Sequence, residues 1–225
     1  WISNTSFPKV FKLRGGASSA NVKLAYNIND AKKLVSRAFS KGFSQYDGWG
    51  SLRERFREWR EGKSGFQNVL GGIVRLFLPT EYAKMHGAEK GYAYFQDYIP
   101  NNTFDIRVIV IADKAFAIKR MVRKNDFRAS GSGNIRYNKI EMPEECVKKS
   151  FKLAKDLKTQ SLAIDFVFDE QENPLIVEIS YGFATPVYDN CPGYWTADMN
   201  WHEEAFRPQE WMVDCLIQQI EKRSH

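Results

Sequence analysis
At 225 residues the chain has room for one large or two small domains with a sizeable core. Its 43% hydrophobic and 27% charged content is ordinary for a globular protein, and a net charge of +6 is modest for a chain committed to nucleic acid or an anionic membrane. No run approaches the roughly 18 apolar residues of a membrane span, and no signal peptide opens the sequence. Cys146, Cys191 and Cys215 are odd in number and form no CxxC pair, which argues against a disulfide framework or a zinc site. A cytoplasmic location is the expectation. The start at Trp1, without Met, suggests that an N-terminal portion precedes this sequence.

Phe7 to Leu13 reads as a strand, followed by a small-residue loop from Arg14 to Asn21 and a second strand from Val22 to Tyr26. Asn29 or Asp30 is expected to cap a helix that gathers Ala31, Leu34, Val35, Ala38 and Phe39 on one face. Between Gly42 and Gly91 the pattern changes. Ser51-Leu52-Arg53-Glu54 has the form of a capping box, and Leu52, Phe56 and Trp59 line one side of the helix it would open. Arg53, Arg55, Arg57 and Arg60 crowd the remainder, which reads as a solvated basic face, with a surface for an acidic partner as the alternative. Glycines at 62, 65, 71, 72 and 87 suggest loops in this insert. Tyr92–Ile99, Asp105–Ile111 and Ala115–Val122 read as strands, the last two joined by a tight turn at Ala112-Asp113-Lys114. Arg128 to Arg136 forms a glycine-rich loop, and Pro143 opens a helix with Val147, Phe151 and Ala154 on one face. The tail from Tyr181 to Pro208 reads as aromatic and irregular, and Gln209 to Lys222 as a closing helix.

Two apolar runs carry the chemistry. Leu162 to Phe168 and Leu175 to Ser180 flank a turn-rich linker, and each holds one carboxylate among apolar neighbours, Asp165 and Glu178. An acid in such a setting stays ionised only beside something positive. Adjacent strands would bring the two acids to one point, where a hard cation such as magnesium suits them. Solvated strand-end acids are the competing reading. Lys12 stands immediately before a glycine pair, where ammonium and backbone amides together suit a phosphate, although this is no Walker A loop. Tyr94 to Pro100 is an aromatic strand end suited to a flat base. Asp105 and Arg107 share a strand face, and Lys119, Arg120, Arg123 and Arg128 follow closely. Cations converging on a carboxylate pair suit a polyphosphate with its metal, and Arg128 opens a loop of the kind that closes over a phosphoryl group.

In order along the chain these motifs resemble the ATP-grasp superfamily, closest to the branch of glutathione synthetase and the ribosomal-protein glutamate ligases. The likeness runs from about Phe7 to Ser180, with the Gly42–Gly91 insert outside it. It implies an α+β fold of two subdomains whose antiparallel sheets clasp the nucleotide: residues 1–91, with a helical insert at about 43–90, and residues 92–225, with the metal site and tail. By that likeness Lys12 contacts the phosphates of ATP, and Gly15, Gly16, Ser18 and Ser19 fold over them. Gln96, Asp97, Tyr98 and Ile99 hold adenine, with Asp105 near the ribose and Lys119 among the nucleotide-binding cations. Arg107, Arg120 and Arg128 match the catalytic cations that hold phosphate and the acceptor carboxylate. Asp165 and Glu178 match the Mg2+ ligands, and Ser180 fills the third ligand position, where the superfamily usually has Asn. Ser130 likewise stands where Asn often follows the arginine loop. The implied activity is an ATP-dependent carboxylate–amine ligase working through an acylphosphate. A nucleotide-binding module without catalysis and a kinase acting on a polyol are the alternatives. The implied partners are a small-molecule carboxylate and amine and an N-terminal domain absent from this sequence; a homodimer is left open, and neither membrane nor nucleic acid is expected. The tail motif Cys191-Pro192-Gly193-Tyr194-Trp195 with Asn200-Trp201-His202 resembles a subgroup signature near sugar-polymer biosynthesis genes.

Overall fold
The structure, a computed structural model, describes residues 1–14, 21–44, 48–60, 62, 64–77, 87–123 and 126–223, without the side chains at 54, 58, 76, 77, 222 and 223. The loop residues Gly15, Gly16, Ser18 and Ser19 lie outside the described residues. The chain divides into two units, Trp1–Tyr98 and Ile99–His225.

In the first unit, β1 (Lys9–Lys12) lies between β2 (Lys23–Ala25) and β5 (Tyr94–Asp97) in an antiparallel sheet. Alternation sends Phe11 and Leu13 into a cluster with Ala38 and Phe43, supported by Leu34 and Phe95. The Phe11 ring sits 5.0 Å from Phe43 and 5.4 Å from Phe95. Ala38 and Leu34 come from α1 (Ile28–Phe39). This helix is capped by Asn27, two residues before the earlier of the expected caps, whose side chain accepts from the amides of Asn29 and Asp30 at 2.9 and 3.1 Å. Phe39, expected on the inner face, is exposed. A two-strand ladder of β3 (Phe43–Ser44) and β4 (Ala88–Glu89) flanks a helical hairpin of α2 (Gly48–Arg60) and α3 (Phe66–Phe77). The expected capping box lies inside α2, since the helix begins three residues before Ser51; the Ser51 hydroxyl instead accepts from Arg55. Gly71 and Gly72 belong to α3 and not to a loop. A Cβ on Gly72 would fall 2.9 Å from Arg55 Cδ and 3.0 Å from Leu52 Cδ1, so the glycine lets the two helices approach.

The second unit is built on one antiparallel sheet in the order β10-β9-β6-β7-β11-β12, with β8 also on β7. These strands are β6 (Phe104–Ile111), β7 (Lys114–Met121), β8 (Ile135–Arg136), β9 (Ser161–Phe168), β10 (Pro174–Ser180), β11 (Tyr194–Thr196) and β12 (Trp201–His202). The central strands are apolar on both faces because both are covered. One face presents Ile106, Val108, Leu162, Ile164 and Phe166 to α4 (Glu144–Leu157), which contributes Cys146, Val147 and Ala154. The other presents Ile109, Ile111, Phe116 and Ile118 to the tail. The tail is more ordered than its composition predicts. It packs Tyr188, Phe206 and Trp211 around Phe116 at 5.2, 4.9 and 6.1 Å, adds β11 and β12 to the sheet, and closes with α5 (Pro208–Arg223). Trp211, Met212 and Cys215 form the inner side of that helix. Cys146 and Cys191 are buried thiols, and burial pushes each up to about 12.

Candidate functional site
The tail-side face of the second unit changes character along its length. Toward Ile111 it is apolar and roofed by aromatic rings; toward Phe104 it carries charge. Register explains the gathering: Asp105 lies opposite Arg120 across β6 and β7, Arg107 opposite Asp165 across β6 and β9, and Asp165 opposite Glu178 across β9 and β10. Directly opposed residues in an antiparallel pair share a face. The last juxtaposition depends on a β-bulge between Ile176 and Glu178. An unbroken ladder would set Val177 against Asp165, so the bulge re-aims the glutamate onto the charged face.

Arg107 donates from Nε to Asp165 Oδ1 at 2.5 Å and from Nη2 to Oδ2 at 2.6 Å. Arg120 donates to both oxygens of Asp105, at 2.7 and 2.6 Å, and from the same Nη2 to Asp165 Oδ2 at 2.7 Å. Asp105, Arg120 and Asp165 are buried, whereas Glu178 is exposed. Burial works to raise Asp165, but the charge of Arg120 and the hydrogen bonds of Arg107 outweigh it and hold the carboxyl below the usual range. Asp105 goes the other way: burial lifts it, Arg120 opposes, and the charge on Asp165 adds to the lift. Arg107 and Arg120 are held above their ordinary values despite desolvation, because Asp165 and, for Arg120, Asp105 favour the charged form.

Tyr188 is a site residue that sequence reading missed. It ends a short 3-10 turn, Thr185–Tyr188, and it is buried where the charge of Arg107 acts on its phenol. Burial raises the phenol while Arg107 pulls it down. The two residues lie 81 positions apart with no local period to announce their approach; an aromatic residue with a polar tip just past β10 was the available signal.

The other predicted residues have contacts of their own. Lys119 turns to the α4 side of the sheet, where its ammonium pairs with Glu141 at 3.1 Å and covers the Phe104 ring at 4.1 Å. Arg128 forms a compact pair with Asp126, with contacts of 3.0 and 2.6 Å. Burial works to raise Asp126, and the Arg128 guanidinium with two backbone amides overcomes it, leaving the carboxyl low. The Ser180 hydroxyl is engaged with Gly182, donating to its carbonyl at 3.0 Å and accepting from its amide at 3.2 Å. In the first unit Lys12 lies opposite Tyr94 and shares a face with Gln96, away from the Phe11 cluster. The Asp97 carboxylate pairs with buried Lys9. Tyr98 ends the first unit and Ile99 begins the second.

The donor set suits a hard cation. A carboxylate has about four acceptor positions; guanidinium groups take three on Asp165, leaving one on Oδ1 with Glu178 opposite. Among the described residues no group of three or more His, Cys, Asp or Glu is gathered to hold a metal. A pair of carboxylates completed by phosphate and water is the arrangement magnesium accepts.

Residues 77–188 match the family described as the RimK-like ATP-grasp domain. The fold is therefore ATP-grasp, and the matched stretch, which holds every member of the charged cluster from Asp105 to Tyr188, is a RimK-like ATP-grasp domain. No curated protein matches the chain. The biotin carboxylase domain of the Hydrogenobacter thermophilus 2-oxoglutarate carboxylase, solved with MgADP, ADP and bicarbonate, is similar at 13% identity and a TM-score of 0.44, over 81% of this chain and 32% of that one. The Campylobacter jejuni biotin carboxylase in its β-γ-ATP complex is similar at 13% identity and a TM-score of 0.46, over 81% of this chain and 33% of that one. The chain spans about a third of the length of these structures. Among the described residues no helix is long and apolar enough to cross a membrane.

Proposed function
We propose that this chain is the magnesium-dependent ATP-binding part of a carboxylate–amine ligase. The observation that carries the reading is the pairing of Asp165 with Glu178 beside Arg107 and Arg120 on one face of an ATP-grasp domain. Asp165 and Glu178 would hold Mg2+, which when bound draws the phosphate oxygens together and neutralises charge on them. Arg107 and Arg120 supply fixed positive charge where negative charge grows during phosphoryl transfer, and the aromatic roof keeps water from the inner end of the face. The substrate carboxylate oxygen would attack the γ-phosphorus, releasing ADP and giving an acylphosphate. The amine would then displace phosphate to form the amide, losing a proton. Lys12, with the glycine-rich residues after it, and the strand end from Gln96 to Ile99 would serve the phosphates and the base. The buried thiols suit a reducing cytoplasm, and the tail motif suggests sugar-polymer biosynthesis as the setting.

Titration calorimetry with ATP, with and without magnesium, tests the metal assignment. Glu178→Gln, at an exposed position, should weaken the magnesium-dependent part of binding by roughly 10- to 100-fold, and Lys23→Ala should not. Equal effects would remove Glu178 from the site. The engagement of Ser180 with Gly182, where a third ligand was expected, favours a second reading as a nucleotide-binding module without catalysis. ADP release with a panel of carboxylates and amines separates the two, and a phosphorylated polyol would point to a kinase.

A further inference from the structure
The α2–α3 hairpin takes no part in the charged cluster and presents an apolar surface of its own. Val69 and Gly72 of α3 are buried, whereas Phe66, Leu70, Ile73 and Val74, at positions i, i+4, i+7 and i+8, lie exposed, Val74 by 54%. On α2 Trp49 is 70% exposed, and Phe56 and Trp59 continue its side of the helix. The rings of Phe56, Trp59 and Phe66 follow one another at 5.5 and 5.3 Å, so the surface runs unbroken from one helix to the other. Arg53 and Arg60, expected on the remainder of the helix, are instead exposed beside it, four and eleven positions beyond Trp49 and therefore on nearly the same side of α2. From 48 to 77 the sequence carries six basic residues against three acidic ones.

We propose that this hairpin docks the protein on an anionic lipid surface, its apolar stripe entering the acyl boundary and Arg53 and Arg60 meeting the phosphates. Helices of 13 and 12 residues are too short to span a bilayer, which takes about 20, but amphipathic helices with aromatic and aliphatic side chains on one side and arginine at the margin lie well in the interface. The sequence excludes a span; it does not exclude this. A second copy fits the surface less well, because a two-fold contact would set one hairpin's excess of basic residues against the other's. A nucleic acid would satisfy the arginines and the rings but leave Leu70, Ile73 and Val74 without an apolar partner. A bilayer with acidic headgroups satisfies all of them.

Cosedimentation of the full chain with vesicles tests the proposal. It should pellet with vesicles of phosphatidylcholine and phosphatidylglycerol in equal parts, release as salt rises, and stay in solution with phosphatidylcholine alone. The pair Leu70→Asp and Ile73→Asp, and separately the pair Arg53→Glu and Arg60→Glu, should each weaken partitioning roughly tenfold or more. Ile140→Asp, which removes a fully apolar side chain 87% exposed outside the hairpin, should leave partitioning unchanged. Circular dichroism of each variant establishes that it is folded. Wild-type protein that remains in solution with both vesicle types overturns the proposal, as does an Ile140→Asp loss equal to that of the hairpin variants. A dimer abolished by the Leu70 and Ile73 pair, or oligonucleotide binding in place of lipid binding, would give the surface to another occupant.

Discussion
Asp165 accepts three charge-assisted hydrogen bonds from two guanidinium groups, and Asp105 accepts two from one. That difference decides which acid keeps its charge more firmly when both are buried. Removing one partner from a buried ion network strands the others, which is why loss of a charge costs more than the pair is worth. Asp165→Asn should therefore lower stability by about 3–5 kcal/mol, read from urea midpoints; a loss below about 1 kcal/mol would mean that Arg107 and Arg120 find other partners. Tyr188→Phe removes the buried hydroxyl on which the Arg107 charge acts and should cost about 0.5–1.5 kcal/mol by the same measurement. The acids and arginines were legible in the sequence because a charge within an apolar strand demands compensation. Which arginine would serve which acid was not, because that depends on strand order and on Tyr188 arriving from the tail.

At the scale of elements, the four long strands of the second unit, β6, β7, β9 and β10, announced themselves by apolar runs and turn residues, and their observed limits fall within a residue or two of the expected ones. Three features escaped, the first being β8, at the end of a stretch that reads as a glycine-rich loop. The bulge before Glu178 leaves no mark in composition, since an extra Val among aliphatic residues reads as more strand. The tail read as irregular because its strands are only two or three residues long and are defined by the partners they meet. Gly193 shows how tightly that tail is set. A Cβ there would fall on the His202 carbonyl oxygen and lie 2.8 Å from the Trp201 ring, so Gly193→Ala must push β12 away from β11. A loss of about 1–3 kcal/mol is expected from the overpacking, with melting temperature as the check. An unchanged melting point would show that β12 is dispensable to the fold.

For the molecule as a whole, acid is the telling perturbation. Asp126 and Asp165 sit below the ordinary aspartate value of about 3.9, so the folded chain binds fewer protons than the unfolded chain in mild acid. Their contribution is complete above that value and drains away as pH falls through the folded-state value. Asp105, displaced upward, acts with the opposite sign: its contribution is complete below about 3.9 and is lost as pH rises through its folded-state value. Urea midpoints should hold near neutrality and fall below about pH 4. Asp126→Asn should start lower at neutral pH and fall less on the acid side, converging with the parent; parallel curves would remove Asp126 from the account. The sheet also constrains how the gene can change. Lys119 and Arg120 are chain neighbours that serve opposite faces, one bound to Glu141 and the other to Asp105 and Asp165, and both are set by the two-residue loop Ala112-Asp113. Substitution in that loop alters a tip. Gain or loss of a single codon there shifts β7 by one position, sending a lysine into the acid cluster and an arginine into the packing against α4. Variation in this hairpin should therefore accumulate by exchange of residues or by even-numbered changes in length, and single-residue indels should be found only in chains that have given up the site.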